Sequence, residues 1–457
     1  MMSVSALLAI AVVSIAVLLV LVIRYKVPAF VGLILVSVLT AFATRIPIGD
    51  IVPTLTEGMG KTLSSVMIIV GLGAMLGRVI EAAGGADILA VRFTQVLGRN
   101  RVVAAVTAAA FVLGIPVFFD VGFIILAPIV FGFARVAGIN PLRIGMPVAA
   151  SMLLVHVAMP PHPGPVAAAG ITQADAGMLI LFSLPICAMT AFIGYFFAKF
   201  MSLDGFTLSS SPAEREDILG SGPVPMTTST RSAKGITAGI VIALIILPIA
   251  QIMCGTVGHM VIDQDGARQV LSFIGSSVIA LLCAVIVAYL VVGHRARWGV
   301  EQRGSILDSA LPDVAIIVFV TGAGGVFANV LVTSGIGDAL SKTLVSWNMP
   351  IIVAGFVLAL ALRASQGSAT VAILTTAGLL AQPIADAGYN SVQTTLVTLA
   401  IGLGGLGLSH INDSGFWIVT KYLGLSVKDG LRTWTVLTTV FGVTGFLITW
   451  GVFALIS

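Results

Sequence analysis

Near its end the chain reads Leu408-Ser409-His410-Ile411-Asn412-Asp413-Ser414-Gly415-Phe416-Trp417, a polar island in a stretch otherwise built of glycine and aliphatic residues. A second island interrupts another apolar stretch earlier in the chain: His156-Val157-Ala158-Met159-Pro160-Pro161-His162-Pro163-Gly164-Pro165. The two islands lie 254 positions apart, counted from His156 to His410. Polar groups in apolar surroundings are costly, so each island predicts a binding site, and together they suggest a duplicated, membrane-embedded architecture.

The composition of the chain excludes an ordinary water-soluble domain. Its 457 residues are 58% hydrophobic and 9% charged, and the mean hydropathy is +1.12. A helix needs about 20 mostly apolar residues to span a bilayer, and such runs recur from residues 4–23 to 433–456. We therefore predict an all-α polytopic membrane protein with about 12 to 14 hydrophobic segments.

Several functional classes are excluded by missing motifs. The net charge of +4 comes from Lys and Arg at predicted helix ends, and there is no basic patch for a nucleic acid. The three cysteines lack CxxC spacing, no HExxH metal motif occurs, and no GxxxxGK[ST] loop is present to bind ATP. We predict no cofactor and no metal, with an ion gradient as the energy source.

A polar segment rich in Pro and Ser, residues 202–234, divides the chain and is predicted to be a cytoplasmic linker. Residues 1–201 and 235–457 are then two repeats. Sliding 70–89 against 321–340 at an offset of 251 matches six positions, four of them Gly or Asp. This agreement favours an internal duplication.

Loop charges predict that the two repeats are inverted. Loops 84–101, 201–234 and 294–303 are rich in Arg and Lys and should be cytoplasmic. The loop 333–346 corresponds to the first of these but carries only Lys342 and Asp338, which places it outside. Inverted repeats are typical of secondary transporters, whose substrate site lies between the repeats near the middle of the membrane.

Four interruptions of apolar segments predict broken helices or re-entrant hairpins, because irregular backbone at membrane depth must be covered by protein or line a cavity. They are residues 114–120, 160–165, 363–368 and 404–415.

Four ionisable residues inside apolar stretches are candidates for moving a proton: Asp120, His156, His410 and Asp413. Asp120 has no basic residue within fourteen positions on either side. The alternatives are a helix cap for the carboxylates and hydrogen-bonded packing for the histidines.

The segment Arg363-Ala364-Ser365-Gln366-Gly367-Ser368-Ala369-Thr370 suits an anion, because it offers a guanidinium and hydroxyls where one helix ends and another begins. Ser365, Gln366, Ser368 and Thr370 would supply donors at the helix start, and Gly367 belongs to the same predicted site. Arg363 is either a direct clamp for a carboxylate or a residue that snorkels to the membrane interface.

Four motifs of this chain resemble the bacterial gluconate permease family over essentially the whole length. They are Ile115-Pro116-Val117-Phe118-Phe119-Asp120-Val121-Gly122-Phe123, the island His156 to Pro165, the segment Arg363 to Thr370, and Ser409 to Trp417. The resemblance implies a proton-coupled symporter of gluconate or a related hydroxy acid in the bacterial inner membrane, with inverted repeats and elevator-type transport. The family also includes carriers of other sugar acids and of D-serine.

We therefore expect uptake of a small polyhydroxy monocarboxylate with one or more protons, and no enzymatic activity. The substrate carboxylate would meet the helix start at 365–368, beside Arg363. The substrate hydroxyls would meet three side chains and two backbone positions: His156, Asn412, Ser414, Gly164 and Gly415. Asp120 would carry the proton, with His410 and Asp413 as further coupling candidates. Sodium coupling, a channel, an intramembrane enzyme and a homo-oligomer are open alternatives.

Overall fold

The computed structural model describes residues 2–98, 101–201, 235–262, 265–411 and 413–456. All regular elements in these ranges are helical. The predicted linker 202–234 lies outside the described residues, and the division of the chain into two repeats stays a prediction.

The first half folds into helices α1 to α9. They are α1 (Val4–Ile23), α2 (Ala29–Ala43), α3 (Ile48–Ala82), α4 (Gly85–Leu97), α5 (Val102–Leu113), α6 (Phe119–Ala137), α7 (Leu142–Ala158), α8 (Pro163–Thr172) and α9 (Ala176–Phe200).

The second half folds into α10 to α20. They are α10 (Ala238–Val261), α11 (Asp265–Ile274), α12 (Ser277–Val287), α13 (Val300–Asp308), α14 (Leu311–Thr333), α15 (Ile336–Ser346), α16 (Ile351–Gln366), α17 (Ala369–Asp386), α18 (Ser391–Gly404), α19 (Ser414–Leu423) and α20 (Val427–Ile456). A short π-helical turn, Ala288–Val292, and a helical turn, Gly293–Arg295, follow α12.

The lengths of these helices confirm a polytopic membrane protein. In the described ranges, seven helices are long and apolar enough to cross a membrane, and two bent helix pairs raise that number to nine. Five shorter apolar helices of 10 to 17 residues accompany them. This set agrees with the predicted 12 to 14 hydrophobic segments.

Two predicted loops are wrong, because residues 84–101 and 333–346 contain α4 and α15. Both helices are short and amphipathic: in α4 the residues Ala86, Leu89 and Ala90 are buried, and Asp87 lies in the first turn. The polar residues on one face of such a helix lower its mean hydropathy, so hydropathy alone does not distinguish it from a loop.

All four predicted helix interruptions are confirmed by the helix bounds. They separate α5 from α6, α7 from α8, α16 from α17, and α18 from α19. The broken segment of α7 and α8 lies at the centre of the protein, since 89% of its most apolar window is buried, against 17% for α1. This interruption of the backbone is therefore inside the molecule.

Helices of the two halves correspond at a nearly constant spacing. Gly85 and Ile336, the first residues of α4 and α15, are 251 positions apart, and so are Pro163 and Ser414, which begin α8 and α19. The spacing agrees with the predicted duplication.

The helices α3 and α14 cross in opposite directions. Gly58 of α3 lies against Gly325 and Asn329, near the end of α14, and Asn329 Nδ2 donates to the Thr54 carbonyl at 2.9 Å. Further along α3, Arg78 Nε donates to Ser309 Oγ at 3.0 Å, just before α14 begins. Small residues allow this close approach of two helix backbones.

The close approach of α3 and α14 predicts that two glycines of α3 differ in how well they tolerate a larger side chain. A Cβ at Gly58 would lie 2.7 Å from the Gly325 carbonyl oxygen, whereas a Cβ at Gly60 would have nothing within 4 Å. Gly58→Ala should destabilise the protein by about 1–3 kcal/mol through overpacking. Thermal unfolding in detergent is the measurement, with Gly60→Ala as the matched control. Equal melting temperatures for the two variants would contradict the crossing.

Candidate functional site

The starts of four helices meet in pairs inside the protein. A Cβ at Gly164, in the first turn of α8, would lie 3.4 Å from Ile373 Cδ1 of α17. A Cβ at Gly415, in the first turn of α19, would lie 3.1 Å from Phe119 Cε1 of α6. Helix starts carry free backbone N–H groups and the positive end of the helix dipole, so this region suits an anion.

A buried ion pair joins two of the interruptions. Arg363, at the end of α16, pairs through Nη2 with Oδ2 of Asp413, the residue that caps α19. The two side chains are 2% and 5% exposed. Arg363 therefore does not snorkel to the membrane interface. Its charge is cancelled by a carboxylate of the protein, and the pair holds the two broken segments together.

Further hydrogen bonds fix both members of the pair. Arg363 Nη1 donates to the Gly367 carbonyl, and Ser409 Oγ donates to Asp413 Oδ2. Trp434 Nε1 in turn donates to Ser409 Oγ at 2.8 Å, and the Gly415 backbone N–H donates to Asp413 Oδ1 at 3.0 Å. Within the described residues, Arg363 Nε is the buried donor of this cluster that has no partner.

Two histidines bind carbonyls at the ends of the interrupted helices. His162 Nε2 lies 2.6 Å from the Gly114 oxygen, just after α5, and His410 Nε2 lies 2.7 Å from the Ala364 oxygen near the end of α16. A carbonyl only accepts, so both rings donate. His410 thus has a structural contact, and its role in proton coupling stays a prediction.

His156 is half-buried near the end of α7, and its Nδ1 lies 3.2 Å from Nδ1 of His162. It is close enough to Arg363 to interact with the guanidinium charge. Phe118 lies against both imidazole rings, with ring centroids 6.1 Å from His156 and 5.9 Å from His162. Sequence reasoning left His162 out of the site, and only its place in the polar island pointed to it.

Asp120 lies in the first turn of α6, and its side chain is exposed. The charges of Asp413 and Arg363 are close enough to act on it. Within the described residues it has neither a hydrogen bond nor a salt bridge. In the part of the site that the structure describes, a neutralised ion pair thus lies beside a carboxylate without a partner.

The predicted donors at the start of α17 differ in whether their hydroxyl hydrogens are available to a ligand. Ser368 caps the helix: its Oγ accepts from the Val371 N–H at 3.3 Å, which leaves the hydroxyl hydrogen for a ligand. Ser365 Oγ instead donates to the Ala361 carbonyl at 2.8 Å. Gly367 adopts φ +82°, a left-handed conformation that favours glycine and ends α16.

The remaining predicted ligands are placed only in part. Ser414 is the first residue of α19 and is exposed. Asn412 lies outside the described residues, and for Gln366 only the backbone is described.

Two cavities lie toward opposite ends of α3 and α14. A cavity of about 870 Å³ borders the C-terminal ends of α8 and α17, and one of about 20 Å³ borders Phe118. The small one is lined by four residues of α3: Ala74, Gly77, Arg78 and Glu81. The large one is lined by the four residues of α14 that stand 251 positions later: Gly325, Ala328, Asn329 and Val332. At the small cavity Arg78 Nη1 contacts both carboxylate oxygens of Glu81 at 3.0 Å.

Many apolar helices long enough to span a membrane, interrupted at a buried polar site, are typical of a membrane transport protein. Comparison with known proteins agrees. The chain belongs to the GntP permease family, whose model, described as "GntP family permease", matches residues 6–456. It is therefore an inner-membrane permease for a small molecule and not an enzyme.

Individual relatives align over nearly their whole length. The chain is 52% identical to the inner membrane permease YgbN of Escherichia coli (strain K12), with all of both chains covered. It is 35% identical to a gluconate permease of Pseudomonas aeruginosa, over 96% of this chain and 95% of that one. The crystal structure of the Alcanivorax borkumensis YdaH transporter shares the fold, with a TM-score of 0.59 at 14% identity over 90% and 89% of the chains.

The buried ion pair predicts a non-additive mutant cycle. Arg363→Met or Asp413→Asn alone leaves one buried charge without a partner and should cost about 3–5 kcal/mol of stability. The double variant removes both charges and should cost less than the sum of the two single changes. Thermal unfolding in detergent measures the three variants. Additive losses would contradict a direct pair.

Proposed function

We propose that this permease takes up gluconate, or a closely related sugar acid, together with a proton. The observation that carries the proposal is the carboxylate of Asp120, which has no partner among the described residues, beside an ion pair that is already neutral. A bound sugar acid would bring a second negative charge into the same region. Two like charges that lie close together repel each other, so binding of the anion favours protonation of Asp120.

This repulsion provides the coupling between substrate and proton. If each ligand makes the other bind more tightly, the effect is reciprocal and typically amounts to about 1–3 kcal/mol. Release of the sugar acid on the cytoplasmic side would lower the proton affinity of Asp120 and return the proton to water there. Symport then follows from electrostatics, without direct contact between Asp120 and the substrate.

The substrate carboxylate is best received at the facing starts of α8 and α17. The Ser368 hydroxyl and the free N–H groups of these helix starts supply donors, and Gly164 of α8 lies beside Thr370 and Ile373 of α17. The hydroxyl chain of the acid would then extend toward His156 and Ser414. Arg363 contributes its unpartnered Nε while its other donors hold Asp413 and Gly367.

The two cavities support a carrier rather than a channel. They are lined by equivalent positions of α3 and α14, which run in opposite directions, and only one cavity is wide. Inverted repeats interchange such environments during alternating access. We propose that 1–201 and 235–457 are inverted repeats. With the Arg-rich segment 294–303 in the cytoplasm, the wide cavity faces outward and the Arg78–Glu81 end is closed.

Proteoliposomes that contain the protein test the function itself. With an imposed pH gradient and no sodium, labelled gluconate should accumulate, and a protonophore should abolish the accumulation. Competition by a panel of sugar acids and D-serine ranks the substrates. Accumulation that requires sodium, or transport of D-serine without gluconate, would overturn the proposal.

Asp120→Asn separates coupling from transport. The variant should lose accumulation driven by a pH gradient but still exchange labelled for unlabelled gluconate, since the carboxamide cannot take up the proton. The matched control is Asp338→Asn, an exposed carboxylate in the first turn of α15. Accumulation at the wild-type level in Asp120→Asn would remove Asp120 from the coupling mechanism.

Alternating access predicts that two engineered cysteines change in opposite directions in their accessibility to a thiol reagent. In a background with Cys187, Cys254 and Cys283 replaced by Ala, Val332→Cys in the wide cavity should react with a membrane-impermeant thiol reagent from outside. Ala74→Cys in the narrow cavity should be protected. Adding gluconate and a pH gradient should protect the first cysteine and expose the second to the cytoplasm. Simultaneous labelling of both from their two sides would indicate a channel.

A further inference from the structure

The hydrogen-bond chain that ends at His156 determines which ring nitrogens of the two histidines carry a hydrogen. It begins at the Gly114 carbonyl, which can only accept, so His162 carries its hydrogen on Nε2. In neutral His162 the other nitrogen, Nδ1, is then an acceptor. Among the residues that the structure describes, the atom facing it at hydrogen-bond distance is His156 Nδ1 at 3.2 Å, which must therefore donate.

The same chain leaves the outer nitrogen of His156 without a hydrogen. A neutral imidazole carries one hydrogen, and in His156 it is used on Nδ1. Nε2 is then a bare acceptor, and it has no hydrogen-bond partner among the described residues. A second hydrogen would make the ring cationic within reach of the Arg363 guanidinium, inside an apolar protein and against the Phe118 ring.

We infer that His162 is a positioning residue that makes His156 a pure hydrogen-bond acceptor, so that the permease selects a hydroxyl over a carbonyl at one carbon of its substrate. The inference rests on the proposed function and deepens it. A hydroxyl donates its hydrogen to the bare Nε2. A keto oxygen at the same carbon has no hydrogen to donate. It would place a second acceptor against the Nε2 acceptor of His156.

The selectivity has a physical basis in unsatisfied polar groups. A site built to bind a hydroxyl discriminates strongly against an analogue without it, because its own buried group is left unpaired. We expect transport of gluconate to be favoured about tenfold or more in KM over at least one keto acid of the same length, such as 2-ketogluconate or 5-ketogluconate.

Nitrogen-15 NMR of the purified protein without substrate tests the tautomer directly, with the His156 signals assigned by their loss in His156→Asn. The expected result is a hydrogen on Nδ1 and none on Nε2. His162→Phe should remove this preference, while His162→Gln, which offers both a donor and an acceptor, should restore it at least in part. His410→Phe removes the corresponding carbonyl contact in the other half and should leave the His156 signals unchanged.

Uptake measurements provide the second readout. His162→Phe should raise the KM for gluconate and abolish the discrimination against the keto acid, with no additional effect in a His156→Asn background. A hydrogen on Nε2 of His156 in the wild type, or discrimination that persists in His162→Phe, would overturn the inference. If the wild type shows the expected tautomer but transports no sugar acid, the proposed function fails and the positioning role of His162 stands.

Discussion

Backbone groups freed where a helix breaks inside a membrane protein must find partners within the protein, since lipid offers none. Side chains meet this demand at three carbonyls: Gly114 accepts from His162, Ala364 from His410 and Gly367 from Arg363. A buried guanidinium then needs a counter-charge, which Asp413 provides, held by Ser409 and Trp434. The polar centre of the molecule is thus a consequence of the four helix interruptions.

The same breaks create the conditions for transport. Each interruption begins a new helix whose free N–H groups point into the interior, and two of these starts face each other across Gly164 and Thr370. Because Arg363 and Asp413 neutralise each other, the charge that remains among the described residues of the site is that of Asp120. Under the proposed function, an anion that enters this region changes the proton affinity of Asp120, which is the coupling that a symporter requires.

Hydropathy and the distribution of Gly, Pro and polar residues were sufficient to predict the all-helical fold and the four interruptions. Composition could not reveal α4 and α15, because the polar faces of these helices give them the hydropathy of loops. The residues of the site could be predicted from the sequence, but the contacts that pair them could not. Arg363 and Asp413 are fifty positions apart, and no sequence pattern indicates that one neutralises the other. His162 was hidden for the same reason, because its partner is the Gly114 carbonyl just after α5, 48 positions earlier in the chain.

The central claim is that a sugar acid binds where the broken helices meet. A structure determined with gluconate bound tests it most directly. The account predicts density for the ligand between the starts of α8 and α17, with its carboxylate at Ser368 and a hydroxyl within hydrogen-bond distance of His156 Nε2. Ligand density elsewhere, or a carboxylate bound by an Arg363 that has left Asp413, would contradict the account.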